Sequence, residues 1–255
     1  MWRRMRIVVL LAILAFVALN TYFDRLYSTD WDAPLRVALY PINADGGDVT
    51  ERFVRGIKAD DFVTIERFFA EEAAAHGAPL ETPVRFELGP QLREAPPALD
   101  PDAGPLGVAA WSLRARWWAW RTPEGRAAPD IKLFLLYYDP RRSPALPHST
   151  GLRKGLFGVV HVFADQRMLG SNDVVIAHEL LHTLGASDKY ERGTNLPLHP
   201  EGYAEPDREP LHPQTHAELM AGRIPLSPDE ADTPESLRYV VVGPRSAAEI
   251  GWSKP

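Results

Sequence analysis

The chain has 255 residues, a formal net charge of −6 and no cysteine. Its length allows one sizeable hydrophobic core. The acidic balance, with no basic patch interleaved with aromatics, speaks against nucleic-acid binding, and the lack of cysteine excludes disulfides, thiolate ligands and a cysteine nucleophile. The first element is apolar. Arg3, Arg4 and Arg6 precede an unbroken apolar run at 7–19, which Tyr22 and Phe23 extend. A stretch from 7 to 23 is at the short end of what spans a bilayer. Its exit, Ala18-Leu19-Asn20-Thr21-Tyr22-Phe23, is a poor cleavage site, and aromatic residues there suit a membrane interface. Residues 1–24 therefore read as a cytoplasmic basic flank and a transmembrane signal anchor, with a cleaved signal peptide as the competing reading. Residues 25–255 read as one extracytoplasmic domain, periplasmic or extracellular.

Within that domain, 35–42 (LRVALYPI) reads as a strand ended by the turn Asn43-Ala44-Asp45-Gly46-Gly47. Residues 49–57 and 60–76 carry helical apolar periodicity through Phe53, Val54, Ile57, Ile65, Phe68 and Phe69. A second strand at 84–88 alternates, and a proline-rich loop covers 89–105. The helix expected at 106–121 holds Trp111, Trp117, Trp118 and Trp120. Such a cluster can mark a lipid or sugar surface, but aromatics at mixed helical spacing are expected in a core, with Arg114, Arg116 and Arg121 on the exposed side. The near-continuous apolar run at 131–138 (IKLFLLYY) has the pattern of a central buried strand, and 158–163 (GVVHVF) that of another. A helix follows over about 172–184, with Ser171 as its N-cap. After it, 191–235 is mostly loop, with Ser227-Pro228-Asp229-Glu230 as a short helix start and Ser246-Ala247-Ala248-Glu249 as a second capping box.

The helix at 172–184 carries the chemistry. It contains His178-Glu179-Leu180-Leu181-His182, followed by Thr183-Leu184-Gly185-Ala186-Ser187-Asp188-Lys189-Tyr190. Histidines four apart project from one helix face and can bind one Zn²⁺ from the same side. Glu179 sits beside the metal, where it can take a proton from bound water. Gly185 can end the helix in a left-handed turn and bring Asp188 round as a third ligand. Two histidines, one carboxylate and an open fourth position make a catalytic zinc set rather than a closed structural one. A downstream histidine (His199, His212 or His216) or a glutamate (Glu201, Glu205 or Glu218) remains an alternative third ligand. His148 and the other loop histidines are expected in solvent, and His161 as a structural or substrate-facing residue. Tyr190 and Tyr203 are candidate donors to an oxyanion.

These residues resemble the metzincin clan of zinc metallopeptidases, whose pattern is HExxHxxGxx followed by His or Asp. With Asp188 in the last position, the string is similar to the aspartate-ligand variant of snapalysin-type peptidases. The resemblance implies His178, His182 and Asp188 as ligands and Glu179 as general base. It also implies a methionine turn beneath the metal, for which Met220 in Ala217-Glu218-Leu219-Met220-Ala221-Gly222 is the candidate. The strand before the zinc helix, 158–163, would be an antiparallel edge that binds substrate backbone. The fold expected is α+β: a zincin-like domain with a mixed twisted sheet, an active-site helix and a loop-rich C-terminal part.

The function implied is a membrane-anchored zinc endopeptidase acting on peptide or protein substrates. The alternatives are a zinc amidase acting on cell-wall peptides, and a zinc-stabilised binding or assembly protein without turnover. The presence of Glu179 speaks against the last, because a structural zinc needs no base.

Overall fold

The computed structural model describes residues 30–253, apart from 101, 124–127, 148 and 153–155. The expected anchor at 1–24 lies outside the described residues. Among those that are described, no helix is long and apolar enough to cross a membrane. The architecture is a mixed α/β one, built on a five-stranded sheet of order β2-β1-β3-β5-β4. Its strands are β1 (Leu35–Asn43), β2 (Val84–Leu88), β3 (Ile131–Tyr138), β4 (Thr150–Leu152) and β5 (Phe157–Phe163). β1 pairs parallel with β2 and β3, and β3 pairs parallel with β5. Only β4 runs antiparallel, pairing Thr150 with Val159 and Leu152 with Phe157. The strand at 157–163 is thus an interior, mainly parallel strand, not the antiparallel edge expected for it. The preceding loop folds back and takes the edge as β4.

Both faces of the sheet are covered, which is why β1 and β3 read as near-continuous apolar runs. On one face lie helices α1 (Asp48–Gly56), α2 (Val63–Ala75) and α4 (Leu169–Leu184). Val54, Ile65, Phe69, Val174, Ala177, Leu181 and Leu184 pack there with Val37, Leu39, Leu133, Leu135, Val160 and Val162. On the other face α3 (Pro105–Arg121) is the one helix among the described residues, with Trp111, Ala115 and Ala119 against Ala38, Tyr40, Phe134 and Phe157. Phe134 is the hub, edge-on to Trp118 at 4.8 Å and stacked on Tyr40 at 5.3 Å. The tryptophans of α3 do not all enter the core, as their spacing suggested. Trp111 is buried and Trp118 half-buried, but Trp117 and Trp120 are 58% and 75% exposed. At about 100° per residue Trp111 and Trp118 fall on one side of the helix and Trp117 and Trp120 on the other, and one sheet face covers only the first side.

The C-terminal part adds two small ladders. β6 (Ala217–Glu218) pairs parallel with β9 (Val240–Val241), and β7 (Ile224–Pro225) pairs antiparallel with β8 (Ala231–Asp232). Ser227-Pro228-Asp229-Glu230 starts no helix; it forms the β7–β8 loop, closed by Leu226 and Ser227 N–H groups on the Glu230 carbonyl. The final helix, α5 (Pro244–Glu249), is capped by Gly243. Ser246 and Glu249 lie inside it and bond elsewhere, so no capping box forms at 246–249.

α4 also begins earlier than expected. A 3-10 turn over Gln166–Met168, capped by the Asp165 carboxylate on Arg167 N–H, runs directly into Leu169. Ser171 falls in the first turn and donates to the Met168 carbonyl at 3.0 Å. Two positions on, Asp173 is buried beside Tyr137 and Asp61, around a cavity of about 20 Å³. Burial, with the Asp61 charge adding to it, pushes the Asp173 carboxyl up to about 7 from 3.8. Between those values the unfolded chain is ionised there while the folded chain holds its proton. This group therefore removes stability as pH rises from about 4 to about 7. Asp173→Asn is expected to stabilise the fold by about 2–4 kcal/mol near pH 8 and by almost nothing near pH 4, measured by urea denaturation. An equal effect at both pH values would contradict this.

Candidate metal centre

The metal-site geometry starts from the end of α4. Gly185 adopts φ 109°, ψ 10°, the left-handed conformation that ends a helix and that glycine takes without strain. Gly185 and Ala186 N–H groups both bond the Leu181 carbonyl, so the chain reverses at once. This reversal brings Asp188 opposite the two imidazoles. His178 Nε2 lies 3.5 Å and His182 Nε2 2.9 Å from Asp188 Oδ1, and the two rings are 4.6 Å apart and nearly perpendicular.

The other nitrogen of each ring is committed. His178 Nδ1 donates to the Leu219 carbonyl at 2.8 Å, and His182 Nδ1 donates to the Ala186 carbonyl at 2.9 Å. A carbonyl can only accept, so these bonds select the tautomer with a lone pair on Nε2. Asp188 Oδ1 is buried and receives no hydrogen bond, so it faces those lone pairs without a proton between them. Three such donors converging on one point fit a cation. His178, His182 and Asp188 can hold a metal ion, their ligand atoms all lying within 4.8 Å of one another. Burial alone would raise the Asp188 carboxyl. A proton on either imidazole would outweigh it, because hydrogen bonding and charge from a protonated His178 or His182 would hold the group far below the usual carboxylate range.

Glu179, 5% exposed, lines the same cleft. The cleft measures about 480 Å³ and is bounded also by Ser149, Tyr190, Arg192 and Asn195. It shares His178, Tyr190 and Asn195 with a second, largely apolar hollow of about 340 Å³. His161, Phe163, Val174, Val175 and Arg223 line that hollow. His161 thus lines the hollow and not the cleft itself; it accepts or donates at Nδ1 with Tyr138 Oη at 3.0 Å, and burial lowers its pKa. Burial, with the charges of Asp188 and Glu179 adding to it, raises the Tyr190 phenol, which keeps it a proton donor at neutral pH.

Met220 is fully buried, in a tight turn beneath His178. The turn is closed by Ala221 and Gly222 N–H groups on the Glu218 carbonyl, with Gly222 at φ 71°. Its Leu219 carbonyl takes the His178 proton, and the Met220 carbonyl accepts Lys189 N–H at 2.9 Å. One turn therefore steadies both the first histidine and the segment next to Asp188.

The remaining sequence candidates lie elsewhere. Tyr203 is buried, but its hydroxyl pairs with His212 Nε2 at 3.0 Å and it lines neither hollow. His199 bonds the Pro206 carbonyl and His216 the Thr215 hydroxyl. Glu205 accepts from Thr215 and Arg208, and Glu201 faces Arg245 on the surface. Glu218 is completely buried and accepts from Ser246 Oγ, Gly243 N and Ala221 N, so it fastens the methionine turn to α5 rather than reaching the metal position. His148 is outside the described residues.

Two positioning residues, Lys189 and Glu249, gave no local signal of that role in sequence. Lys189 is 3% exposed, and its Nζ donates to Glu249 Oε2, Ser187 Oγ and the Ser187 carbonyl, each at 2.8 Å. Glu249 in turn accepts from Ser187 N and Oγ. The ligand loop is thereby bolted to α5.

No protein-family model matches the chain, and no curated protein is similar to it. Among solved structures it is similar to the crystal structure of wild-type OgpA from Akkermansia muciniphila, at 14% identity and a TM-score of 0.36, over 87% of this chain and 62% of that one. The chain thus spans less than two thirds of that structure, and a likeness this distant carries no argument.

The Lys189–Glu249 pair makes a prediction. Burial would raise the Glu249 carboxyl, but the bonds from Lys189 and Ser187 lower it below 4.5. Its contribution is therefore present above about pH 4.5 and lost as pH falls through the folded-state value. Glu249→Gln should cost about 2 kcal/mol near pH 7 and reduce the acid-side loss of stability. It should also weaken metal affinity about 10–100-fold by loosening Asp188, measured by competition with a chromophoric chelator. Unchanged affinity would show that α5 does not position the ligand loop.

Proposed function

We propose that the chain is a zinc metallopeptidase of metzincin-like type, an endopeptidase that hydrolyses peptide bonds in extracytoplasmic peptides or proteins while tethered by its N-terminal apolar run. One observation carries the reading. Both imidazoles have their Nδ1 protons committed to main-chain carbonyls, so two Nε2 lone pairs and one carboxylate converge beside a buried glutamate in an open cleft. Nitrogen and carboxylate donors of this number suit zinc, and three protein ligands leave a position for substrate, as in catalytic sites. Bound there, zinc supplies Lewis-acid chemistry, polarising a carbonyl and acidifying water.

The chain's own groups do the rest. Glu179 accepts a proton from the attacking water and returns it to the leaving amine. Tyr190, protonated and standing where the cleft meets the apolar hollow, donates to the oxyanion. The hollow beside His178 receives a substrate side chain. An extended peptide reaches the site along the outer edge of β4, which begins one residue after Ser149 of the cleft wall. A binding protein without turnover would have no use for Glu179 held beside the ligands.

Glu179→Ala should lower chelator-sensitive cleavage of a peptide library at neutral pH by about 10²–10⁴-fold, with zinc content and thermal stability unchanged. Equal cleavage by the variant would refute the role of Glu179. A wild-type protein that binds zinc and cleaves no amide would refute the peptidase.

A further inference from the structure

α3 is amphipathic in an inverted sense, because the side facing away from the sheet is apolar. Leu106, Leu113, Trp117 and Trp120 are 87%, 65%, 58% and 75% exposed. At about 100° per residue these four fall within a sector of about 60°, a single stripe along the helix. It lies opposite the buried Trp111, Ala115 and Ala119. Arg114 and Arg121 border the stripe on one side and Arg116 on the other. None of the three arginines has a carboxylate partner among the described residues; Arg121 lies over the Trp117 ring, 4.6 Å from its centroid. Leucine and tryptophan flanked by arginine form the surface of a helix lying in a lipid interface. The rings sit at the headgroup level, and the arginine stems lie along the apolar strip while their heads meet phosphate.

α3 is held to the sheet at its C-terminal end. Its last turn is tied to the start of β3, where Lys132 Nζ donates to the Ala119 carbonyl at 3.1 Å. β3 starts beside the start of β1, with Ile131 opposite Val37 and Asp130 N–H on the Arg36 carbonyl. The described chain begins five residues ahead of β1, where Trp31 packs on Trp252 and donates to the Ile250 carbonyl at 2.7 Å. The apolar run at 7–19 ends about ten residues before that start, no more than about 36 Å of extended chain.

We propose that α3 docks on an anionic phospholipid surface, with Leu106, Leu113, Trp117 and Trp120 in the headgroup–acyl boundary and Arg114, Arg116 and Arg121 on phosphate. The metal centre belongs to α4, across the sheet from α3, so this docking turns the cleft away from the lipid. The inference stands on α3 alone and does not depend on the peptidase reading.

Because the chain has no cysteine, single labels report cleanly. The full chain carrying Leu113→Cys, labelled with a polarity-sensitive fluorophore, would be reconstituted in vesicles of phosphatidylcholine and phosphatidylglycerol in a two-to-one ratio. Leu106→Cys supplies a second reporter on the stripe. Asp229→Cys, in the exposed β7–β8 loop on the α4 side, is the control. The labels at 113 and 106 should shift to the blue, resist an aqueous quencher and be quenched by nitroxide-bearing lipid, while the label at 229 should do none of these. Vesicles of phosphatidylcholine alone, or joint replacement of the three arginines by glutamine, should cut the protected fraction several-fold. Labels at 113 and 106 as open to the aqueous quencher as the one at 229 would overturn the proposal. So would protection that lipid nitroxide does not reach, which would mean that protein covers the stripe. Protection indifferent to lipid charge would overturn the anionic partner.

Discussion

The hydrogen bond from His178 Nδ1 to the Leu219 carbonyl, 2.8 Å long, joins the two halves of the candidate site. It sets the tautomer of the first imidazole and points Nε2 at Asp188. It also holds the buried methionine turn against α4, forty-one positions earlier in the chain. That turn then accepts Lys189 N–H on the Met220 carbonyl, and Glu218 beneath it accepts Ser246 and Gly243 from the α5 end. Every element that aims a ligand is connected through this bond or one step from it. A misplacement of about an ångström would separate three groups whose spacing is their chemical content.

The sheet divides the described residues into two unlike surfaces. One face carries α1, α2 and α4 and the C-terminal ladders, and there His178, His182 and Asp188, which could hold a metal ion, come together. The other carries α3, which buries one side against Tyr40 and Phe134 and leaves an apolar stripe outward. A fold covered on both faces buries most of β3, six of its eight residues, between the two surfaces. The buried carboxylates are of two kinds. Glu218 and Glu249 are surrounded by donors and hold loops in place. Asp188 Oδ1 receives none, and it faces two nitrogen lone pairs. A buried carboxylate oxygen that receives no donor and faces two nitrogen lone pairs marks a position a cation fits.

What could be read from sequence was local. The strands at 84–88 and 131–138 match their expected limits, because alternation and uninterrupted apolarity are direct consequences of one-sided and two-sided burial. His178, His182, Gly185 and Asp188 could be grouped because helix periodicity and one left-handed glycine relate them within eleven residues. The reassignment of the edge from β5 to β4 could not be read, since β4 is three residues long and its identity is a matter of pairing. Ser246 and Glu249 had the spacing of a capping box, yet their side chains serve Glu218 and Lys189, partners twenty-eight and sixty positions away. The tryptophans of α3 were ambiguous for a related reason. Helical spacing says which residues share a face, but only the neighbouring sheet decides which face is covered.

The central claim is that this chain builds a three-ligand metal centre with a position left open, and anomalous diffraction at the zinc edge from crystals grown with zinc tests it most directly. The account predicts one strong peak bonded to His178 Nε2, His182 Nε2 and an Asp188 carboxylate oxygen at about 2.0–2.2 Å, with no fourth protein ligand and Glu179 beside the open position. A peak closed by a fourth side chain, or one that excludes Asp188, would contradict it.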